Sequence, residues 1–340
     1  MNVSEALKAA SRFGQGEPVV EAFGTGLINH SFFVTYPNGK KLLLQRLNKT
    51  TFSQPENIIN NYVTITEHLD AFGGYHLPRL ESTTKGKHFW VDESDHFWRA
   101  TAFVENSYAE TVASSSTAAF RAAKCFASFS ASLRQLDPEK LDIIIPHFHD
   151  LDYRYNQFEE TIKKAGINRL LKATHVIASL REHYSLVEFY NSVISDPVNY
   201  PVRIMHHDCK ISNILFDKTT GEVICPVDLD TVMPGRFFSD IGDLIRTMAC
   251  SRDENSTEWE HIAIVQDYYQ SIIDGYVEGS ELTLTRAELD NIHMPGKMLI
   301  YMQCLRFVTD FLNNDVYYKT TYPEQNLNRA LNQLLLLERC

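Results

Sequence analysis

The residues whose types and spacing could support catalysis lie in one polar loop and in one acidic motif that follows it. The loop is part of M-H-H-D-C-K-I-S-N-I-L-F-D at 205–217, and the motif is P-V-D-L-D-T at 226–231. Phosphoryl transfer needs a carboxylate that accepts the proton of the acceptor hydroxyl, a cation that meets the moving phosphoryl group, and hard oxygen ligands for Mg²⁺. The sequence offers residues for these roles, in this order: Asp208, Lys210, Asn213 and Asp228.

Each of these elements taken alone is also compatible with an ordinary polar turn beside a buried strand, where Asp228 and Asp230 would cap the segment that follows. The combination is more specific, because apolar strand-like segments flank the loop on both sides and a second acidic motif follows downstream. The joint pattern therefore favours a phosphotransfer site over a structural turn.

A glycine-rich segment, F-G-T-G-L-I-N-H-S-F-F-V at 23–34, precedes this cluster. Gly24 and Gly26 would let the backbone approach phosphate groups, with the N–H groups of the turn as donors. Taken alone the segment is weak evidence, because an ordinary hairpin turn also explains G-x-G before a strand. It gains weight from its place ahead of the catalytic cluster.

The elements that must position these groups begin with a β-rich stretch of about a hundred residues. Asn38-Gly39 between two apolar runs predicts a hairpin with a type I′ turn, and a second hairpin is predicted around the turn at 92–95. A helix is predicted over Pro55–Phe72, with Gly73-Gly74 ending it. The stretch reads as five strands with one inserted helix.

After about residue 106 helical patterns dominate the chain. Ser114 to Ser116 are expected to cap the first helix, and further helices are predicted near 153–164, 168–190, 258–275, 297–312 and 325–338. A short β-like region from VRIM to VICPVD interrupts them. We therefore predict an α+β fold with a small β-rich N-terminal lobe, 1–105, and a larger, mainly helical C-terminal lobe, 106–340.

Composition and charge exclude several classes of protein. The chain has 340 residues, 44% of them hydrophobic, and a formal net charge of −11, which makes it a poor general binder of DNA, RNA or anionic membranes. Six cysteines without a C-x-x-C pair argue against a zinc ribbon or a thiol redox motif. Since we find neither a signal-peptide-like start nor an apolar stretch of about 20 residues, we expect a cytoplasmic protein.

Several motifs together resemble the aminoglycoside phosphotransferase and choline kinase superfamily, which has a two-lobed protein-kinase-like fold. Within it the chain is most similar to the bacterial N-acetylhexosamine 1-kinase group. The resemblance covers nearly the whole chain and is carried by G-x-G-x-I-N at 24–29, LLLQRLN at 42–48, PHFHD at 146–150, HHDCKISNIL at 206–215, VDLDTVMPGRFFSDIGDLIR at 227–246 and RFVTDFLNNDVYYKTTYPEQNLNR at 306–329.

The resemblance implies an ATP- and Mg²⁺-dependent kinase whose acceptor is the anomeric hydroxyl of N-acetylglucosamine or N-acetylgalactosamine. The superfamily also phosphorylates choline, aminoglycosides and other small alcohols, so these acceptors stay open. By the same resemblance Asp208 matches the catalytic base, Asn213 and Asp228 the Mg²⁺ ligands, and Asp230 supports a second metal. Asp240 matches an acid that steadies the catalytic loop.

The nucleotide is assigned by the resemblance to Gly24, Gly26, Asn29, Ser31, Arg46, Phe103 and Glu105. The strand that usually offers a phosphate-binding cation reads Leu44-Gln45-Arg46-Leu47, and only one of its two central residues can face the site. Arg46 is the predicted cation, with Lys41 as the alternative. Val63 stands where the partnering glutamate is expected, which puts the usual Lys–Glu pair in doubt.

The sugar is predicted to bind a late stretch rich in polar and aromatic groups, in which we select Arg306, Asp310, Tyr317, Asn326 and Arg329. An ordinary i,i+4 ion pair between Arg306 and Asp310 on a helix is an equally good interpretation of part of this stretch.

Two alternatives come from other functional classes. His147 and His149 after an apolar run resemble the way in which metallohydrolases present zinc ligands, although His147 or Asp150 could simply cap the next helix. A nucleotide-binding regulator without turnover is hard to reconcile with Asp208, Asn213 and Asp228 all being present.

Overall fold

The computed structural model describes residues 3–24, 28–72 and 75–340. Its helices are α1 (Val3–Ala10), α2 (Pro55–Phe72), α3 (Ser116–Ser132), α4 (Leu151–Lys164), α5 (Ile167–Glu182), α6 (Ser185–Ser195), α7 (Phe238–Met248), α8 (Gln266–Gly279), α9 (Arg286–Asp290), α10 (Met294–Leu312) and α11 (Gln325–Glu338). Its strands are β1 (Val19–Ala22), β2 (His30–Thr35), β3 (Lys41–Leu47), β4 (Trp90–Val91), β5 (Phe97–Ala102), β6 (Ser107–Tyr108), β7 (Arg203–Met205), β8 (Ile214–Asp217), β9 (Val223–Pro226) and β10 (Met233–Gly235).

The chain divides into two compact units, each built from more than one segment. The first comprises Met1–Tyr108, Gln135–Ile145 and Leu215–Met233, and the second comprises Ala109–Arg134, Pro146–Ile214 and Pro234–Cys340. The predicted α+β class is confirmed, with a strand-rich N-terminal part and a helical C-terminal part. The predicted lobe boundary between residues 105 and 106 stays a prediction.

An antiparallel sheet in the order β1-β2-β3-β5-β4 forms the centre of the first unit. Since side chains alternate between the two faces of a strand, the register decides which residues share a face. Leu42 and Leu44 lie on one face with Trp98, where they pack with the alanines of α1 in a buried core. The opposite face carries Gln45 and its cross-strand neighbours.

The hairpin between β2 and β3 forms where it was predicted, but its turn differs from the predicted type. Of the turn residues only Gly39 has a positive φ, at 86°, and the loop is closed by Tyr36 donating its N–H to the Lys40 carbonyl. Pro37 restricts its own φ to negative values, which suits a three-residue loop ending in a left-handed glycine. A type I′ turn would need a positive φ at Asn38 as well.

Most of the predicted helices are present in the second unit, with two differences in extent. The pattern over 168–190 is divided into α5 and α6, because α5 ends at His183, whose N–H donates to the Ser179 carbonyl. The pattern over 258–275 becomes helical only at Gln266. Ser115 caps α3 by accepting the Ala118 N–H, as expected from the serine run. Within the described ranges, we find no helix that combines the length and apolarity needed to cross a membrane.

Candidate active site

Two carboxylates hold the loop that carries the predicted catalytic residues, all within the second unit. Asp240, at the start of α7, accepts the backbone N–H groups of His206 at 3.0 Å and His207 at 2.8 Å. Asp243, one turn later, accepts the N–H of Cys209 at 2.8 Å. The prediction that Asp240 steadies this loop is confirmed, and Asp243 is a second anchor that the sequence reading did not identify.

The loop brings Asp208, Lys210 and Asn213 together. Lys210 Nζ lies 2.9 Å from Asp208 Oδ2, and the Asn213 amide nitrogen donates to the same oxygen at 2.9 Å. Burial raises the pKa of Asp208, but this effect is smaller than the combined effect of the Lys210 ammonium, His206 and Asn213, which lower it. The pKa of Asp208 therefore lies below its ordinary value. Asp208 is therefore ionised at neutral pH, and 29% of its side chain remains exposed.

The fully buried Asp240 gives the protein a pH-dependent stability that can be measured. Burial raises its pKa from 3.8 to about 6, even though the His206 and His207 N–H groups oppose the rise. The folded state therefore binds a proton more tightly than the unfolded state does, and this tighter binding stabilises the fold at low pH. The stabilisation is lost as the pH increases from about 4 to about 6. The difference between the two pKa values corresponds to about 3 kcal/mol.

We expect the unfolding free energy of the wild type, minus that of Asp240→Asn, to fall by about this amount between pH 4 and pH 7. Urea unfolding of both proteins at several pH values measures this difference. Taking the difference cancels the carboxylates that the two proteins share. A difference that is constant over this range would contradict the raised pKa of Asp240.

A buried serine links two histidines behind the catalytic loop. Ser239 Oγ lies 2.6 Å from His207 Nδ1 and also contacts His149 Nδ1. Burial lowers the pKa of His149 well below its usual value, and the positive groups around it lower the pKa further. His207 has a positive φ of 66°. Its ring packs so closely on Gly235 that a Cβ there would clash with it, at 2.5 Å. The residue before Asp208 is thus held by both its side chain and its backbone.

Arg306 lies among aromatic rings in the second unit, and the expected ion pair with Asp310 is not formed. Its guanidinium lies 5.9 Å from the centre of the Phe148 ring and 5.7 Å from that of Tyr318. Phe148 in turn packs edge-on against His207, with 6.2 Å between the ring centres, which connects Arg306 with the catalytic loop. Arg306 donates to Gln303 at 3.2 Å and makes no ion pair with any described carboxylate.

A second arginine contributes positive charge to the same region. Burial lowers the pKa of Arg154, and the nearby positive charge of Arg306 lowers it further. Arg154 donates to Gln157 and has no carboxylate partner among the described residues, where its buried Nε also lacks a hydrogen-bond acceptor. We call Arg154 and Arg306 the arginine pair.

The remaining residues selected for sugar binding differ sharply in exposure. Tyr317 is 70% exposed, whereas Asp310 and Asn326 are buried. Asp310 accepts the backbone N–H groups of Tyr317 and Tyr318 at 2.8 and 2.9 Å, and the Asn326 amide at 2.9 Å. Arg329 pairs with Glu254 and stacks on Phe307 at 3.8 Å. Direct sugar contact by these residues stays a prediction, and this geometry favours positioning roles for Asp310, Asn326 and Arg329.

In the first unit, a row of polar side chains crosses the sheet face that lies opposite α1. Ser31, Gln45 and Arg99 are successive cross-strand partners on β2, β3 and β5. The Gln45 amide donates to Ser31 Oγ at 3.2 Å and accepts from the Arg99 guanidinium at 2.8 and 3.1 Å. Arg99 also lies 2.5 Å from Asp230, whose other oxygen accepts the Asn29 amide at 2.7 Å.

Arg46, the predicted phosphate-binding cation, points away from this row. It has the same strand parity as Leu42 and Leu44 and donates to Glu5 of α1 at 2.9 Å. Its guanidinium also lies 5.9 Å from the centre of the Trp98 ring. Lys41, the alternative cation, pairs with Glu105 at 2.5 Å. The role predicted for Arg46 stays a prediction that this orientation does not favour.

The other residues assigned to the nucleotide are also in the first unit. Gly24 has a positive φ of 69° with open space where a side chain would be, and Gly26 lies outside the described residues. Phe103 packs edge-on with Phe33 at 4.6 Å, and its N–H already donates to the Lys41 carbonyl. Asp228 has a left-handed φ of 62° and precedes the short 3₁₀ turn that contains Asp230.

The donor set offered to a metal consists only of hard oxygen atoms. The Asn213 nitrogen donates to Asp208, and its amide oxygen accepts no hydrogen bond from the described part of the chain. In the first unit, the carboxylates of Asp228 and Asp230 are also oxygen donors, and oxygen ligands of this kind are the ones that Mg²⁺ prefers. Asp230 already contacts Arg99 and Asn29, which limits its availability as a ligand.

The zinc interpretation finds no support in the arrangement of the histidines. His147 Nδ1 contacts Asp150 at 2.7 Å, whereas His149 is bound to Ser239. Asp150 caps α4 by accepting the Tyr153 N–H, which confirms the helix-cap alternative. Over the described ranges, no three His, Cys, Asp or Glu side chains are grouped to hold a metal ion.

Three residues that contact the predicted site residues were not identified from the sequence: Arg99, Asp243 and Ser239. For Asp243 a signal was present, because F-S-D-I-G-D places it three residues after Asp240, and thus on the same face of a helix. Arg99 and Ser239 have no local signal, since their roles depend on strand register and on a contact across 32 residues.

Comparison with known proteins supports a phosphotransferase fold. The model of the phosphotransferase enzyme family, APH, matches residues 19–275. An aminoglycoside phosphotransferase from Alicyclobacillus acidocaldarius has a TM-score of 0.63 at 14% identity, over 96% of this chain and 90% of that one. A microcompartment-associated aminopropanol kinase has a TM-score of 0.62 at 16% identity, over 99% of this chain and 97% of that one.

The amicoumacin kinase hAmiN, in complex with AMP-PNP, Ca²⁺ and Ami, has a TM-score of 0.62 at 14% identity, over 98% of this chain and 93% of that one. At these identities the similarity shows the fold alone, and it confirms the predicted kinase-like fold.

Proposed function

The chain belongs to the phosphotransferase enzyme family, and on this premise we propose that it transfers the γ-phosphoryl group of ATP to a small-molecule hydroxyl. The observation that carries the proposal is the assembly of Asp208, Lys210 and Asn213 on a loop that Asp240 and Asp243 hold. A rigid loop with an ionised carboxylate beside a cation suits the positioning and charge stabilisation by which phosphoryl transfer is catalysed.

In this mechanism the Asp208 carboxylate orients the acceptor hydroxyl and takes its proton. The acceptor oxygen forms the new bond to the γ-phosphorus while the bond to the β–γ bridging oxygen breaks, and ADP leaves. Lys210, beside Asp208, offsets the charge of the group in transfer. Asn213 and Asp228 would hold Mg²⁺, which would neutralise part of the charge on the nucleotide phosphates. The amicoumacin kinase complex with AMP-PNP and Ca²⁺ supports a nucleotide and a divalent metal here.

For the acceptor we propose the anomeric hydroxyl of an N-acetylhexosamine, which yields a sugar 1-phosphate. The arginine pair supports a neutral, oxygen-rich acceptor, because two guanidinium groups without carboxylate partners repel a cationic one. They can also donate hydrogen bonds to carbonyl and hydroxyl oxygens. An anomeric hydroxyl is more acidic than an ordinary alcohol, so a carboxylate with a lowered pKa is an adequate base.

The proposal is tested by measuring ADP release with Mg-ATP against N-acetylglucosamine, N-acetylgalactosamine, glucose, galactose, choline and kanamycin. We expect turnover with the N-acetylhexosamines and an anomeric phosphate in the phosphorus NMR spectrum of the product. Turnover with choline or kanamycin instead would leave a kinase with a different acceptor. Silence across the panel with intact ATP binding would discard the proposed acceptor.

Substitution of Arg306 tests the acceptor side separately. For Arg306→Met we expect the KM of the sugar to rise by about tenfold to a hundredfold, because a hydrogen bond from a charged donor is lost. The KM of ATP should be unchanged. Arg286→Met is a matched control, since Arg286 is 86% exposed and pairs only with Asp290 on its own helix. An unchanged sugar KM in Arg306→Met would remove Arg306 from the acceptor site.

A further inference from the structure

The first unit carries a buried arginine on the sheet face that holds the predicted nucleotide residues. Arg99 is 2% exposed and is the cross-strand partner of Gln45. Gln45 occupies the part of β3 where protein kinases carry their phosphate-binding lysine. Glutamine has no charge, so β3 itself supplies no cation on this face at that point. The neighbouring strand, β5, supplies one in Arg99.

The partners of Arg99 fix its orientation. Gln45 Oε1 accepts from both Nε and Nη2, and the Asp230 carboxylate lies 2.5 Å from Nη2. Asp230 in turn accepts a hydrogen bond from the amide of Asn29, which belongs to the glycine-rich segment at 23–34. One carboxylate therefore connects the guanidinium to the segment predicted to bind phosphates.

One end of the Arg99 guanidinium is left without an acceptor. Nη1 is buried and makes no hydrogen bond with any described residue. A buried N–H donor without a partner is unfavourable and is rare in folded proteins. Burying an arginine and a carboxylate adds little stability compared with apolar residues of similar volume, so stability alone gives little reason for this group. A ligand with anionic oxygens would satisfy Nη1.

We propose that Arg99 is the cation that binds the nucleotide phosphate groups in this chain, in place of a lysine on β3. Gln45 and Asp230 are its positioning residues. This assigns Asp230 to holding Arg99 rather than to a second metal. The inference rests on the proposed function, since it requires that the protein binds ATP.

The test compares ligands that differ only in their phosphates. Affinities for ADP and for adenosine are measured by calorimetry, without Mg²⁺, for the wild type, Arg99→Met, Arg99→Lys and Arg46→Met. For Arg99→Met we expect ADP affinity to fall by about tenfold to a hundredfold, with adenosine affinity unchanged. Arg99→Lys should recover part of the loss because it restores the charge.

Three results overturn the inference. If Arg99→Met keeps the wild-type ratio of ADP to adenosine affinity, Arg99 does not bind phosphates. If Arg46→Met instead lowers the ratio of ADP affinity to adenosine affinity, the phosphate-binding cation is Arg46 on the other face of the sheet. If ADP and adenosine affinities fall together in both Arg99 variants, Arg99 is structural. A wild type that binds neither ligand contradicts the proposed function itself, and the inference fails with it.

Loss of a buried ion pair can disturb folding, so a matched variant is needed. Arg203→Met removes a buried pair with Glu288 in the second unit, and the Arg203 side chain is 15% exposed. We expect a loss of stability in this variant with an unchanged ADP-to-adenosine ratio. If Arg99→Met does not fold, Gln45→Leu gives the same test, because it removes both hydrogen bonds that orient Arg99.

The role of Asp230 has its own readout. If Asp230 positions Arg99, Asp230→Asn raises the KM of ATP while the Mg²⁺ concentration at half-maximal rate stays the same. A shift of that Mg²⁺ concentration to higher values would show that Asp230 holds a metal instead.

Discussion

Replacing Asp208 by asparagine should reduce turnover by about 10²- to 10⁴-fold, the range that general-base catalysis contributes. Asparagine has nearly the same shape but cannot take the proton of the acceptor hydroxyl. The substitution also removes the charge beside Lys210, whose ammonium lies 2.9 Å from Asp208. The residues assigned to the nucleotide are in the first unit, so ATP affinity should persist.

Steady-state kinetics and ATP binding of the same preparation check this result. Asp196→Asn is the matched control, because Asp196 is a half-buried residue of the second unit whose carboxylate accepts hydrogen bonds from Asn199. Its kinetics should equal those of the wild type. If Asp208→Asn kept more than about a tenth of the wild-type turnover, Asp208 would not be the base.

Features that depend on neighbouring residues could be predicted from the sequence. The ends of α2, the serine cap of α3 and the hairpin at Gly39 follow from local signals, since caps and turns are satisfied within a few residues. The catalytic loop belongs to the same class. Asp208, Lys210 and Asn213 lie within six positions, so their spacing already implies proximity.

Features that depend on strand register could not be predicted in the same way. Alternation on β3 correctly allows only one of Gln45 and Arg46 to share a sheet face with Ser31, one of the residues assigned to the nucleotide, but it does not tell which one. Glu5 of α1 and the apolar core decide that Arg46 faces α1. The cation on the other face then comes from β5, more than fifty residues along the chain, and only the pairing of β3 with β5 reveals it.

The acceptor side illustrates a third limit. A stretch rich in arginine, tyrosine, aspartate and asparagine predicts a polar site, but composition does not separate groups that face a ligand from groups that face the backbone. The i,i+4 spacing of Arg306 and Asp310 predicts an ion pair that is not formed. Asp310 instead satisfies backbone N–H groups that exist as a cluster only because the chain folds back after α10.

This arrangement makes Asp310→Ala the most damaging substitution expected outside the catalytic loop. The variant leaves the N–H groups of Tyr317 and Tyr318 without this acceptor, and the Asn326 amide keeps only its hydrogen bond to Asp315. Unsatisfied buried donors cost about 1–3 kcal/mol each, and because some of them can reach water we expect a total loss of about 3–5 kcal/mol in unfolding free energy. Urea unfolding measures this loss. Asp290→Ala is the control, and its unfolding free energy should stay within about 0.5 kcal/mol of the wild-type value, since Asp290 is 52% exposed and pairs only with Arg286.

The kinetic consequence separates a purely structural carboxylate from one that shapes the acceptor site. Tyr318 lies beside Arg306, so a displaced Tyr318 should raise the KM of the acceptor while the KM of ATP stays unchanged. Asp310→Asn should give a smaller effect on both stability and KM, because it keeps one acceptor oxygen but places an NH₂ group against a donor. Loss of stability with an unchanged acceptor KM would mean that the turn at 315–318 supports the fold only. A rise in acceptor KM that follows the loss of the Asp310 hydrogen bonds would show that this buried carboxylate positions the residues that contact the acceptor.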